Sequence, residues 1–237
     1  MKKYELTAEF IEKWGKKLFR IKALISFGSV EAGELGGYIE KEDNLAHDGN
    51  AWVSGDARVS GNARVSGNAW VYGDAEVYGN ARVSGNARVS GDAEVSGNAW
   101  VYGNAEVSGD ARVSGNARVY GNARVSGDAR VYGNAWVYGN ARVYGDAEVS
   151  GNADYLLIGR IGSRFSFTTF FKNKDKGITV SCGCFLGTIA EFRAKVTDTH
   201  GNNKHAKIYN LAADMAELQI LGEEHFDKLN TNKSESF

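Results

Sequence analysis

The sequence contains no proline, only two cysteines, and no apolar run long enough to cross a bilayer. Abundant glycine without proline excludes a collagen-like chain, and a 43% hydrophobic content is too high for a disordered tract. The two cysteines, Cys182 and Cys184, are too few and too close to form a disulfide framework, which favours a reducing compartment. The opening MKKYELTAEF lacks the apolar core of a signal peptide. The expectation is a cytoplasmic protein with no membrane contact. The 28 basic and 29 acidic residues nearly balance, so bulk charge points to neither nucleic acid nor membrane. Residues 51–152 also lack lysine, histidine and threonine. The missing threonine rules out the flat Thr arrays of solenoid antifreeze proteins.

What is present is a repeat. From Ala51 the unit is Ala-x-Val-(Ser/Tyr)-Gly-(Asn/Asp), with Val at every sixth position from Val53 to Val149 and no insertion. Position x holds only Trp, Arg or Glu. Side chains alternate along a strand, so Ala and Val share one side while x and Ser/Tyr share the other. That is a half-buried strand of three or four residues. Gly-Asn or Gly-Asp then turns the chain, since both members tolerate positive φ. Strands this short, with a turn every six residues, suit a parallel coil and not a meander. A second period fixes the number of sides. Asp replaces Asn at Asp56, Asp74, Asp92, Asp110, Asp128 and Asp146, at intervals of eighteen. Three hexapeptides per coil make a triangular prism. About six coils at a strand spacing of about 4.8 Å give a rod on the order of 29 Å long.

Repeats such as Val-Ser-Gly-Asn-Ala-Arg resemble the hexapeptide-repeat, left-handed β-helix superfamily. The lead-in, Val30-Glu-Ala-Gly-Glu-Leu-Gly-Gly-Tyr-Ile-Glu followed by Asn44-Leu-Ala-His-Asp-Gly-Asn-Ala-Trp-Val, resembles the start of the YdcK-like transferases. The resemblance spans roughly residues 28–155 and implies a left-handed coil; periodicity alone does not set the hand. The fold class is therefore mainly β. It comprises an N-terminal β cap (1–44), a left-handed parallel β-helix of hexapeptides (45–155) and a small C-terminal α+β domain (156–237). In the cap, Phe19, Ile21, Ala23 and Ile25 alternate with Arg20, Lys22 and Leu24 as a strand, and Trp14-Gly15 suits a hairpin turn. A short helix over Thr7–Trp14 competes with that reading. In the C-terminal domain, Phe165–Phe171 and Gly177–Cys182 read as two strands joined by the polar turn Lys172–Lys176. Thr188-Ile-Ala-Glu191 is a capping box that opens a helix. A second helix is expected near 204–220, with Ile208, Leu211, Met215 and Leu218 as its apolar side. The stretch Ile158–Tyr209 resembles uncharacterised phage and prophage proteins, which implies a phage-encoded chain.

Three arrangements are candidates for chemistry. Cys182, Cys184, His200 and His205 form a Cys-x-Cys…His-x₄-His set, four ligands that suit tetrahedral zinc; the bland alternative is strand thiols and surface imidazoles. The six Asp would stack as a ladder able to hold cations, or stand as solvated turn residues. The side of the prism through Val65 carries Arg64, Arg82, Trp100, Arg118 and Trp136, beside Tyr102, Tyr120 and Tyr138. Arg with aromatics, undiluted by acid, is the composition of an interaction core. The same stacking would also stabilise parallel strands by itself.

Three function classes follow. The first is a non-enzymatic scaffold with no cofactor, which binds a protein partner or self-associates through the Arg/Trp/Tyr face or the C-terminal domain. Many hexapeptide proteins trimerise, so a homo-oligomer fits the resemblance. The second is an acyltransferase using coenzyme A. The superfamily's enzymes carry a catalytic His near a coil and a loop that interrupts the repeats. Here the repeats run unbroken, and His47 falls where a preceding repeat would place an inward Val, which suits a cap better than a general base. A third reading is binding of an anionic polymer such as nucleic acid, through Arg64, Arg82 and Arg118 with stacking on the aromatics.

Overall fold

Strands of two residues every six positions dominate the computed structural model, which describes residues 1–224. His225 lies outside the described residues. An antiparallel pair comes first: β1 (Tyr4–Lys13) and β2 (Lys16–Ala23), joined at Trp14-Gly15, where both residues take positive φ. The segment Thr7–Trp14 is therefore strand and turn, not helix. β3 (Leu35–Ile39) pairs antiparallel with β2 and parallel with the first coil, so it passes the sheet from hairpin to rod.

Seventeen two-residue strands follow, β4–β20, from Trp52–Val53 to Glu148–Val149. They stack in three parallel sheets with partners eighteen residues apart: Arg58 on Glu76, Arg64 on Arg82, Trp70 on Arg88. The prism has the three sides and the period that the Asp spacing implies, with strands shorter than expected because the turn consumes the rest of each unit. Every repeat Ala and Val is fully buried. Each buried Val contributes about 1.5–3 kcal/mol, and no coil is stable without its neighbours.

Glycine alone supplies the corner's positive φ, between 62° and 74° through the repeats. The Asn beside it has another role. Asn side chains run as ladders up two edges: Asn68 Nδ2 donates to Asn86 Oδ1 at 3.1 Å, and Asn98 Nδ2 to Asn116 Oδ1 at 3.0 Å. Asn carries both a donor and an acceptor, so it can pair with its own kind indefinitely. The third edge carries the Asp, which as carboxylates accept only.

The rungs have a direction. Arg58 N donates to Ala75 O at 2.9 Å and Ser60 N to Val77 O at 3.0 Å, and this sense repeats throughout. The first coil is left with free carbonyls and the last with free N–H groups, and each end is closed by the complementary chemistry. At the first coil, buried Lys3 Nζ donates to Ala51 O at 2.8 Å and Asn44 Nδ2 to Ala63 O at 2.8 Å. At the last, Asp154 Oδ2 accepts from Ser150 N at 2.8 Å and Gly151 N at 3.0 Å. Asn152 Oδ1 accepts from Trp136 N, and Thr169 Oγ1 from Arg142 N. Burial opposes ionisation of Asp154, but these donors and Lys172 outweigh it and hold its carboxyl below the usual range. The first cap also covers Trp52, an outward position of its repeat, which is buried against Phe27 and Tyr4.

The C-terminal domain has four strands where the sequence suggested two: β21 (Tyr155–Ile161), β22 (Ser166–Lys172), β23 (Ile178–Cys182) and β24 (Phe185–Thr188), in that order as an antiparallel sheet. β22 lies over the last coil. α1 (Ile189–His200) starts at Thr188, whose Oγ1 accepts from Glu191 N while Glu191 Oε2 accepts from Thr188 N, the expected capping box. α2 (Lys204–Leu221) has its expected bounds but not its expected inner face. Leu211, Met215 and Leu218 are exposed, while Ala206, Tyr209, Ala212, Ala213 and Ala216 are buried. Small side chains let α2 approach the sheet closely. Glu217 is held inside because Arg193 Nη2 reaches its carboxylate at 2.7 Å.

Two predictions follow from this construction. Gly91 and Gly145 have similar φ, but a Cβ at Gly91 would stand 3.0 Å from Gly109 N, whereas at Gly145 it would meet nothing. Both Gly→Ala variants carry the left-handed backbone cost of about 1–2 kcal/mol. Gly91→Ala should show a further loss in denaturant unfolding, since a backbone must move. For the cap, burial pulls the Lys3 pKa down to about 8, with Asp48 opposing. Lys3→Met should cost roughly 1–3 kcal/mol by stranding a carbonyl. Between about pH 8 and the ordinary lysine range the unfolded chain holds the extra proton, so wild-type stability relative to Lys3→Met should rise with pH in that window.

Candidate binding face of the rod

The three sides of the prism differ in what their outward residues do to one another. On the side through Val59, acids and bases neutralise in place: Arg58 with Glu76, Arg112 with Glu94 and Arg130 with Glu148 lie 3.5–3.7 Å apart, and Lys13 of the hairpin also pairs with Glu76. The side through Val53 begins with buried Trp52 and holds one rung-to-rung pair, Arg124 with Glu106 at 3.2 Å.

The side through Val65 contains no acid. Its rungs place Arg64, Arg82, Trp100, Arg118 and Trp136 in one column. The guanidinium of Arg82 lies 4.9 Å from the Trp100 ring centre, and that of Arg118 lies 5.4 Å from Trp100 and 4.9 Å from Trp136. Each indole thus stacks with the Arg of a neighbouring rung. Each such contact is worth about 0.5–1 kcal/mol at an exposed site. Beside this column Tyr102 and Tyr120 stack face to face at 4.9 Å and 1°, and Tyr120 and Tyr138 at 5.4 Å and 16°. Tyr138 meets Tyr155 of β21 edge-on at 6.3 Å, so the ladder runs into the C-terminal cap. Burial, then the neighbouring Tyr102 and Tyr138, push the Tyr120 hydroxyl above its ordinary pKa, against the opposing pull of Arg118. The face expected from the sequence is therefore one continuous surface. Trp100, Trp136 and Tyr138 remain 38–47% exposed, and among the described residues Arg64, Arg82 and Arg118 have no acidic partner within 4.0 Å.

The position of the edges adds something the sequence reading missed. This face is bordered on one side by the Asn62–Asn134 ladder and on the other by the Asn68–Asn140 ladder. The Asp edge separates the other two sides. The carboxylates of Asp56, Asp74, Asp92, Asp110, Asp128 and Asp146 stand away from the arginines. The signal was present in the sequence as the phase of the Asp within its eighteen-residue unit.

The repeats match the YdcK beta solenoid repeat. Overlapping matches cover residues 57–73, 75–103 and 105–151, less than half of the chain. No curated protein matches the chain. The YdcK-type repeat accounts for the rod and leaves the C-terminal domain outside its reach.

Among the described residues no three His, Cys, Asp or Glu side chains converge as a group able to hold a metal ion, which covers the Asp edge as well. Cys182 ends β23 with Thr168 Oγ1 donating to its sulfur at 3.2 Å, while Cys184 is exposed in the turn before β24. His200 and His205 have ring centres 5.7 Å apart across the α1–α2 turn. His47 is part of the first cap. It stacks on Tyr4 at 4.4 Å, and its Nδ1 accepts from Lys3 N at 3.2 Å. No described helix is long and apolar enough to cross a membrane.

The Tyr ladder tests the face's rigidity. Tyr120→Ala removes two stacked pairs and should cost about 1–3 kcal/mol in thermal or denaturant unfolding, at about 0.5–1.5 kcal/mol per pair. Tyr120→Phe keeps both stacks and should stay within about 0.5 kcal/mol of wild type.

Proposed function

We propose that this chain is a non-enzymatic β-solenoid scaffold that uses the Arg/Trp/Tyr face of its rod to bind a protein partner. The observation that carries the reading is that the side flanked by neutral Asn ladders bears three Arg rungs, Arg64, Arg82 and Arg118, beside stacked aromatics and carries no acid of its own. A guanidinium laid on an indole keeps its N–H edge free, and that edge suits carboxylates. The partner surface best matched is one with acidic groups set among apolar ones. The stacked Tyr have their ring faces occupied by each other, and the indole faces are occupied by guanidinium. Few faces are left for bases, which weakens the nucleic-acid reading. The coenzyme A reading has little to draw on, since the repeats are unbroken and His47 is engaged in capping.

A second reading, self-association through the C-terminal domain, is favoured by the unexpected outer face of α2. Ile208, Leu211, Met215 and Leu218 follow spacings of three, four and three, the seam pattern of paired helices. Lys204 and Lys207 at one end and Glu223 and Glu224 at the other would meet in an antiparallel pair of copies.

Affinity capture from source-cell lysate combined with sedimentation velocity separates the two. In Trp100→Ala with Trp136→Ala, the captured partner should be lost while the rod stays folded, its stability lowered by about 1.5–3 kcal/mol through the three Arg–indole contacts removed. In Leu211→Glu with Met215→Glu, any dimer should dissociate while partner capture persists. Partner capture unchanged by the double Trp substitution would remove the rod face from consideration.

A further inference from the structure

The C-terminal domain contains a cavity that the scaffold reading does not use. It lies between the β22–β23 end of the sheet and the helices, with a volume of about 370 Å³, within the usual range of small-molecule sites. That is room for roughly a dozen waters, or for one aromatic ring with a short arm. Its apolar wall is formed by Phe185, Phe192 and Val196. Phe192 packs edge-on against Tyr209 at 5.6 Å, and Phe185 tilts on Phe192 at 5.7 Å, so the wall is a fixed aromatic corner. The charged groups of its lining, Arg164 and Lys195, are both basic. Arg164, Lys195 and His200 line it, and no acid does.

Arg164 has no acid within 4.0 Å among the described residues, whereas Lys195 reaches Asp198 at 3.1 Å on the exposed side of α1. Inside, the Tyr209 hydroxyl sits against Gly162, where a Cβ would come within 1.8 Å of it, and beside the Cys182 thiol. Burial first, and then the neighbouring thiol, push the Tyr209 pKa up to about 12 against the pull of Arg164, so the hydroxyl keeps its proton and remains a donor. Two of the four residues that the sequence set out as zinc ligands, Cys182 and His200, line this cavity. With Arg164 and Lys195 beside them, the local charge is suited to an anion rather than a cation.

We infer that this cavity is a binding site for a small organic anion, an aromatic or branched carboxylate whose apolar body packs on Phe185, Phe192 and Val196 while its carboxylate meets Arg164. The hydroxyls of Tyr209, Ser163, Ser166 and Thr199 are further donors within the lining. Recognition then needs both halves of the ligand, since the wall offers nothing to a bare anion and the mouth offers little to a neutral ring.

The test uses the full-length protein with three probes: phenylacetate, its neutral isostere phenylacetamide, and inorganic phosphate. Alkylation by iodoacetamide is followed by peptide mass spectrometry, with exposed Cys184 as the internal control for cavity-lining Cys182. Phenylacetate should slow modification of Cys182 several-fold and leave Cys184 unchanged. Arg164→Gln, at an exposed position, should weaken that protection at least ten-fold. Calorimetric titration of the same probes gives the comparison independently of thiol reactivity. Equal binding of phenylacetamide or of phosphate, full retention of phenylacetate affinity in Arg164→Gln, or no phenylacetate binding at 10 mM by either readout would each overturn the assignment.

Discussion

Along the rod the N–H groups of the outward residue, the Ser or Tyr and the Asn of each repeat donate to the later coil, where the C=O groups of Ala, Val and Gly accept them. Stacking eighteen-residue coils in register satisfies each rung from its neighbours, but it also makes the stack polar. The two ends cannot be closed by the same chemistry. The first end needs donors and receives the Lys3 ammonium and the Asn44 amide; the last needs acceptors and receives the Asp154 carboxylate, the Asn152 oxygen and the Thr169 hydroxyl. Both flanking segments are explained by this demand. With both edges sealed, axial growth by strand addition is closed off, and contact with other molecules is left to the sides and to the C-terminal domain.

The same register turns composition into columns. A residue type repeated at eighteen is placed directly on its own kind, so its tolerance for itself decides what the column becomes. Asn can ladder because it donates and accepts; Tyr can because rings stack; Val and Ala can because they fill a dry interior. Arg cannot stack favourably on Arg in water without relief. On the face through Val65 the relief is Trp100 between Arg82 and Arg118, with Trp136 beyond, while on the side through Val59 it is a Glu next to each Arg. The two solutions differ in what remains afterwards. An Arg–Glu pair has used its charge, but an Arg laid on an indole has not.

The C-terminal domain obeys a different logic. There the helix α2 turns its Ala-rich side to the sheet and its larger aliphatic residues outward, against the expectation that the most hydrophobic stripe is the buried one. Separation decides the matter. A helix seated close on a small four-stranded sheet has no room for Leu and Met at the contact, and the Arg193 guanidinium makes it affordable to bury Glu217.

Period and phase made most of the rod legible in advance. Val at six and Asp at eighteen determine three sides, the buried Ala and Val, and which outward residues share a column, because strictly local geometry repeated without insertion leaves no other packing. The Arg64–Trp136 column and the Tyr102–Tyr138 ladder were readable for that reason. Tertiary structure decided everything that depends on non-repeating contacts. It buried Trp52 beneath Phe27, tied His47 into a cap, turned α2 about its axis, and surrounded Cys182 and His200 with cationic groups in place of further ligands. Those outcomes depend on residues distant in sequence meeting once each, and a single meeting leaves no period to read.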